Sequence, residues 1–414
     1  MSGARRAYAG GPYARYLLLG AAFFLTAFGL VMIYSASSIT AEVREGSSVH
    51  FFVRQLLFVA LGSVVAWTLS RFDYRRFQQM GNTIWMGGIA LLVLCLGIGV
   101  ARGGARRWIP LGVFNLQPSE LAKIACVLVV AAVALDWMRG RIETSRFLGR
   151  VALLTGAPAV LIILQPDFGT TLTLVVAVAL VLILAGIDWK WIVGSVVSLG
   201  AAGALLIMTS EYRMKRVHAF LDPWADPQGK GYQTIQALLA FGTGGFSGVG
   251  LALSRQKYFY LPEAHNDFIL AIIGEEAGLI GTLSVVAGIA VFLWAGFKIA
   301  SGARDPYGRL VAGAITGMIA FQAILNMAAV TGLMPITGKP LPFVSYGGSS
   351  MLVTMICLGL ILSVSEYGGM APRAVRTKKR AEEGRRHEGS GKRRGNGGAH
   401  LSRVDGGRAV SRRA

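Results

Sequence analysis

Residues 168–186 read FGTTLTLVVAVALVLILAG, nineteen residues without a charge. A helix rising 1.5 Å per residue needs about 20 such residues to cross the hydrocarbon core of a bilayer, so this run reads as a transmembrane helix. The same signature repeats on both sides of it. Apolar segments of spanning length fall at 16–36, 52–70, 82–100, 118–137 and 148–165 before it, and at 189–209, 267–298, 308–332 and 350–368 after it. The pattern predicts an all-α polytopic membrane protein of about ten transmembrane helices. It divides the chain into an N-terminus (1–15), a membrane domain (16–370) and a tail (371–414), with a large extracytoplasmic loop (210–266) between helices 7 and 8.

Composition agrees that lipid is the main solvent. Hydrophobic residues make up 54% of the 414 and charged residues 15%, where a soluble domain carries about 25% charge. Cys95, Cys126 and Cys357 all sit inside apolar runs and the five histidines are scattered, so neither a disulfide framework nor a zinc site is predicted. The first apolar run is too long for a cleaved signal peptide and reads as the first span. The net charge of +20 is half accounted for by residues 371–414, where 14 Lys/Arg face Glu382, Glu383, Glu388 and Asp405 in a Gly-rich stretch. That describes a disordered basic cytoplasmic tail and no nucleic-acid surface. The tail either stays solvated and helps set topology, or docks on anionic lipid or a partner protein.

Ten spans put both termini on one side. With the termini and even-numbered loops in the cytoplasm, that side holds 28 of the 41 Lys/Arg and the opposite side 11. The cation bias selects this orientation. The eleven outer cations cluster against the bias: Arg102, Arg106 and Arg107 crowd one loop, and Arg213, Lys215 and Arg216 follow the seventh span. An anionic substrate group such as phosphate or pyrophosphate would account for both clusters; a lipid headgroup is the plainer partner for any single one.

Parity also brings every motif-like segment to the outer face: 104–123, the turn Gln165-Pro166-Asp167, the long loop 210–266, and 337–350. Pro118-Ser119-Glu120 reads as a helix start, with Glu120 and Lys123 three residues apart on one face. An ionisable pair entering the hydrocarbon is either functional or a neutral tie between helices. Asp267 opens the eighth apolar segment in Leu261-Pro262-Glu263-Ala264-His265-Asn266-Asp267-Phe268. It complements the helix dipole there, or acts as a general base at the membrane–water boundary. Gly274 and Gly278 form a GxxxG pair near its face, so that face is expected to pack closely on another helix, and partial burial to raise the pKa of the acid. Of Glu275 and Glu276, at most one is expected to share the inward cavity. In the long loop, 231–240 suggests a short amphipathic helix on the outer surface. The glycines from Gly242 to Gly250 supply either a phosphate cradle or a flexible lid. No Walker motif, Ser-His-Asp spacing or HExxH is present.

At these segments the sequence resembles the SEDS (shape, elongation, division, sporulation) proteins, from the first span to about Tyr367. Pro262-Glu263-Ala264-His265, Asp267-Phe268 and Gly274-Glu275-Glu276 are similar to its cell-division branch more than to its elongation branch. Asn266 and Ala277 depart from the commonest residues, Thr and Leu, without touching the acid. The resemblance implies a ten-helix glycosyltransferase that polymerises lipid II outside the cytoplasmic membrane, at the division septum. It implies as partners a single-span class B penicillin-binding protein with transpeptidase activity and other divisome proteins. It places the essential acid on Asp267, the cavity pair on Glu120 and Lys123, and the loop arginine on Arg107. Arg106, Asp167, Arg216, Gln233, His265 and Ser349 complete the expected substrate-binding set.

The expected reaction is inverting: an acceptor 4-hydroxyl attacks C1 of the lipid-linked donor, Asp267 takes the proton, and Arg106 and Arg107, with Lys123 or Arg216, balance the departing pyrophosphate. The plainer alternative for Arg107 alone is a structural anchor. No dedicated metal cage is present, though a divalent cation (Mg²⁺ or Mn²⁺) could share the task through one carboxylate and substrate phosphates. The rival readings are a lipid II flippase, which needs working ionisable groups along a transmembrane path, an elongation-type polymerase, and an inactive scaffold acting through its tail.

Overall fold

The computed structural model describes residues 8–102, 105–112, 115–209, 211–229 and 231–369; the basic tail lies outside the described residues. Helices follow the apolar segments one for one: α1 (Gly11–Glu45), α2 (His50–Arg71), α3 (Arg75–Ile98), α4 (Pro118–Met138), α5 (Thr144–Leu164), α6 (Phe168–Ala185), α7 (Trp189–Met208), then α8 (Glu211–Leu221) and α9 (Tyr232–Gly244) in the long loop, and α10 (Ile269–Gly302), α11 (Pro306–Val330) and α12 (Gly348–Tyr367). Nine of them, α1 to α6 and α10 to α12, are long and apolar enough to cross a membrane among the described residues. The 20-residue α7 stands where the seventh span is expected.

Two features exceed the expectation. The chain between α3 and α4 is not a plain loop but a small antiparallel sheet of β1 (Val100–Arg102), β2 (Ala105–Pro110) and β3 (Asn115–Leu116). It pairs Ala101 with Arg106 and Ile109 with Leu116. Helix α1 runs 35 residues, about 50 Å at 1.5 Å per residue, and so outruns the bilayer core of about 30 Å.

The most buried spans are α4, α11 and α12, with α2, α3 and α5 around them. Small residues let the helices close on one another, as expected where lipid supplies no hydrophobic drive between them. A Cβ on Gly359 of α12 would stand 2.8 Å from the Ala66 Cα of α2, and one on Gly317 of α11 would stand 2.6 Å from Leu180 of α6. Pro158 lies inside α5 and cannot donate to the carbonyl of Leu154. The freed oxygen accepts Trp85 Nε1 at 2.9 Å and Cys126 Sγ at 3.6 Å.

Helix α10 is interrupted at Gly278, with φ 64° and ψ −158°, a region open essentially to glycine alone. The Gly278 half of the expected GxxxG seam is therefore a break in the helix. The backbone groups beside the break are satisfied by the glycine-rich loop. Val249 and Gly250 donate to the carbonyls of Glu275 and Glu276 at 2.9 and 3.1 Å, and Leu279 and Ile280 donate back to Gly245 and Phe246 at 3.0 and 3.3 Å. Irregular backbone at membrane depth is tolerated only when protein covers it, and this loop is the cover. The Gly274 half makes the predicted close approach: a Cβ there would lie 2.3 Å from the Phe241 ring of α9. Helix α9 thus packs on α10, burying Thr234, Ile235, Ala237 and Ala240.

Candidate active site

The N-terminal ends of α4 and α6, the C-terminal half of α11 and the 331–347 segment meet in a buried cluster of four charges. Glu120 and Lys123, one turn apart on α4, pair at 2.9 Å. Asp167 caps α6, accepting Thr170 N at 3.1 Å and Thr170 Oγ1 at 2.6 Å. Gln117 Nε2 adds a third bond to it at 2.8 Å, and the Gln117 amide donates to Ser349 Oγ at 3.0 Å. Lys339 completes the cluster. Its ammonium reaches Glu120 Oε1 at 3.3 Å and Asp167 Oδ1 at 3.4 Å, and donates to Thr170 Oγ1. Lys123 turns its remaining capacity to Gln322 Oε1, 3.1 Å away on α11. Two acids and two ammoniums make the cluster neutral, which is the condition for keeping charges out of water. Asp167 precedes the spanning helix. Burial pushes its carboxyl up, but Lys339, Arg107 and the Thr170 bonds outweigh this and hold it at about 2. For Lys339, burial acts to lower the pKa, and the neighbouring Asp167 and Glu120 raise it above the ordinary lysine range.

Asp267 stands beside this cluster and outside the spanning helix, two residues before α10 begins. It is half-buried. Its main-chain carbonyl accepts Asn326 Nδ2 at 2.8 Å. The carboxylate faces Gly338, whose missing Cβ would lie 3.4 Å from Asp267 Oδ2. Burial pushes the acid up and Glu263 pushes it further, while Lys339 and Arg107 pull it down; it settles at about 6. A carboxylate of that basicity is mostly ionised at neutral pH yet able to accept a proton. The sequence expectation of a partly buried, raised acid agrees with this placement.

Arg106 and Arg107 separate, because neighbours on a strand point to opposite faces. Arg107 Nε donates to Gln165 O at 3.0 Å, and its Nη2 to Pro166 O. It anchors the turn that carries Asp167. Arg106 is exposed.

Residues 15–369 match the family of cell cycle proteins comprising FtsW, RodA and SpoVE. The chain belongs to this family. A probable peptidoglycan glycosyltransferase FtsW of Geobacter metallireducens is 42% identical over 353 residues, 84% of this chain and 94% of the relative. Stage V sporulation protein E of Bacillus subtilis is 39% identical over 358 residues, 85% and 96% of the two chains. Among solved structures, the rod shape determining protein RodA of Thermus thermophilus superposes with a TM-score of 0.63 at 27% identity, covering 84% of this chain and 96% of that one. A chain of a peptidoglycan synthase complex that coordinates polymerization and crosslinking gives a TM-score of 0.71 at 29% identity, covering 84% and 97%.

Within this FtsW, RodA and SpoVE scaffold the other predicted site residues divide. Ser349 is buried and supports Gln117, which supports Asp167. His265 is buried between aromatic rings, 4.7 Å from Phe51 and 5.5 Å from Tyr346 between centroids. Its carbonyl accepts Tyr346 N at 3.0 Å, so it ties the Asp267 loop to α2 and to the segment before α12. Burial pushes its pKa down. Gln233 is half-buried on α9 and is not joined to the cluster by a hydrogen bond among the described residues. The side chains of Arg102, Arg213, Lys215 and Arg216 lie outside the described residues.

Glu275 and Glu276 are both buried, and in place of the single inward acid expected both are engaged by the segment that follows the glycine-rich loop, Glu276 also by α1. Glu275 accepts Ser254 Oγ and the Arg255 amide; Glu276 accepts Ser35 Oγ at 2.6 Å and Lys257 Nζ at 3.3 Å. Sequence reasoning missed Lys339, Gln322 and Asn326. The signal was present: Gln322 and Asn326 are amides four apart in an apolar helix, hence on one inward face, and Lys339 is a lone cation between Gly338 and Pro340.

Proposed function

We propose that this protein is a peptidoglycan glycosyltransferase that polymerises lipid II into glycan strands on the outer face of the cytoplasmic membrane during septal wall synthesis. The observation that carries this reading is Asp267: a carboxyl held at about 6, at the outer start of α10, beside a neutral cluster of buried charge. The acceptor 4-hydroxyl attacks C1 of the donor sugar. The C1–O bond to undecaprenyl pyrophosphate breaks with inversion, and the hydroxyl proton passes to Asp267. A positioned base of this kind contributes about 10²–10⁴-fold.

The leaving pyrophosphate needs positive charge. Arg106 is exposed for that role, while Arg107 holds the 165–166 turn. Among the described residues no three His, Cys, Asp or Glu side chains come together around a common point. A divalent cation, Mg²⁺ or Mn²⁺, would share in neutralising the pyrophosphate, held by one carboxylate and the substrate phosphates. Both termini face the cytoplasm in this reading. The partner is a class B penicillin-binding protein, supported by the likeness to a chain of a synthase complex that couples polymerization with crosslinking.

A transport role draws less support. Glu275 and Glu276, the deeper acids a translocation path would use, are engaged by Ser254, Lys257 and Ser35. The test is polymerisation of labelled lipid II by the purified protein with its transpeptidase partner. Asp267→Asn should bind lipid II and make no polymer. Wild-type polymer from that variant would remove Asp267 as the base, and flipping of lipid II in sealed vesicles by a protein that makes no polymer would favour transport.

A further inference from the structure

Lys339 is connected at both ends. Its ammonium is buried between two helices, bonded to Glu120 of α4 and to Asp167 and Thr170 at the start of α6. Its backbone is bonded to a third helix: Lys339 O accepts Asn326 Nδ2 at 2.7 Å, and Pro340 O accepts Gln322 Nε2 at 3.1 Å. The residue before it, Gly338, lies directly against the Asp267 carboxylate. Asn326 bonds Asp267 O and Lys339 O with one amide. The short segment 338–340 is thus the surface against which Asp267 rests, and it is held by a side chain reaching away from the reaction centre.

We infer that Lys339 is a positioning residue for Asp267: its ammonium pins the 338–340 backbone to α4 and α6, and that backbone sets where the carboxylate stands. The inference rests on the assignment of Asp267 as the base. Charge balance within the cluster is a second consequence of the same ammonium, and the two can be separated. A methionine at 339 has similar length and no charge, so it leaves the cluster with one uncompensated acid. Adding Asp167→Asn removes that acid, and asparagine remains a good helix cap. The double variant therefore restores neutrality without restoring the pin.

The charged groups facing Asp267 are Glu263 on its own loop, Lys339 on the 338–340 segment, Arg107 on β2 and Asp167 at the start of α6. Losing Lys339 removes a cation that favours the ionised acid. Lys339→Met, Lys339→Met with Asp167→Asn, and Asp267→Asn would be purified with the partner and assayed on lipid II across pH, with thermal unfolding in detergent as the check on folding. In Lys339→Met, kcat should fall about tenfold or more at little-changed KM, since displacements of about 1 Å can cost up to about 10²-fold. Its acid limb should move up by about half a unit. The double variant should regain thermal stability and stay about tenfold or more slower than Asp167→Asn alone, which is assayed beside it.

Recovery of the rate together with stability in the double variant overturns the inference, because charge balance alone would then explain the residue. An unmoved acid limb in a folded Lys339→Met variant does the same. If Lys339→Met does not fold, the double variant decides by its rate. Polymer made by Asp267→Asn would refute the base itself, whereas an inert Asp267→Asn beside a wild-type Lys339→Met refutes only the positioning role.

Discussion

Asn326 donates one amide hydrogen to the carbonyl of Asp267, at 2.8 Å, and the other to the carbonyl of Lys339, at 2.7 Å. A single side chain on α11 thereby joins the loop that carries the acid to the segment against which the acid rests. Four residues earlier, Gln322 joins Lys123 to Pro340: its Oε1 accepts from Lys123 Nζ and its Nε2 donates to Pro340 O, each at 3.1 Å. Helix α11 is thus the rail on which the two segments are aligned.

Replacing Asn326 with Leu removes both donors and leaves two carbonyls to find other partners. Each buried polar group left unpaired costs about 1–3 kcal/mol. The variant should unfold at lower temperature in detergent, and its kcat should drop more than its KM rises. Equal activity at reduced stability would show that Asp267 does not depend on the clamp.

The pH dependence follows from the raised carboxyl of Asp267. The base must be ionised, and its pKa lies at about 6, so kcat/KM should lose its plateau as pH falls through about 6 and decline about tenfold per unit below it. Glu263 is one of the groups that push Asp267 up. Glu263→Gln should therefore move the acid limb down by about half a unit or less, given that Glu263 is exposed and screened. An upward shift would contradict the electrostatic account.

Gly338 has φ +67° and faces Asp267 Oδ2 at 3.4 Å from its missing Cβ. An L-residue in this conformation is strained by about 1–2 kcal/mol. Gly338→Ala should cost little more than that. Gly338→Val adds methyls against the carboxylate and should lower kcat by about 10-fold or more through misplacement of the base. Steady-state polymerisation rates of the two variants, compared at equal folded fraction, check this.

Gly278 is constrained in another way. Its backbone is in a glycine-only region, and a Cβ would lie 2.4 Å from Gly248 N and 2.6 Å from Phe246 O. Gly278→Ala should destabilise by about 2–4 kcal/mol, combining strain with overpacking. Limited proteolysis should then cut within 245–260 sooner than in the wild type, because the bonds from Val249 and Gly250 to α10 would be lost.

Much of the candidate site is legible in the sequence where its signal is local. Asp267 is an acid at the start of an apolar run, and Glu120 and Lys123 share a helix face by spacing alone. The pairing at 2.9 Å follows directly from that spacing. Arg107 is legible as a cation, but its two backbone acceptors, Gln165 and Pro166, are 58 and 59 residues away. The fates of Glu275 and Glu276 were equally hidden, since both depend on a loop that folds back on a broken helix.

By itself the sequence determined the order of the long apolar helices and the local pairing of Glu120 with Lys123. Lipid offers no hydrogen bonds, so each span must satisfy its own backbone and must announce itself by its own composition. Only the tertiary structure decided which charges neutralise one another. Lys339 meets Glu120 across 219 residues of chain and Asp167 across 172. The pairing is dictated by how α4, α6 and α11 pack, and buried charges must find partners wherever the packing places them.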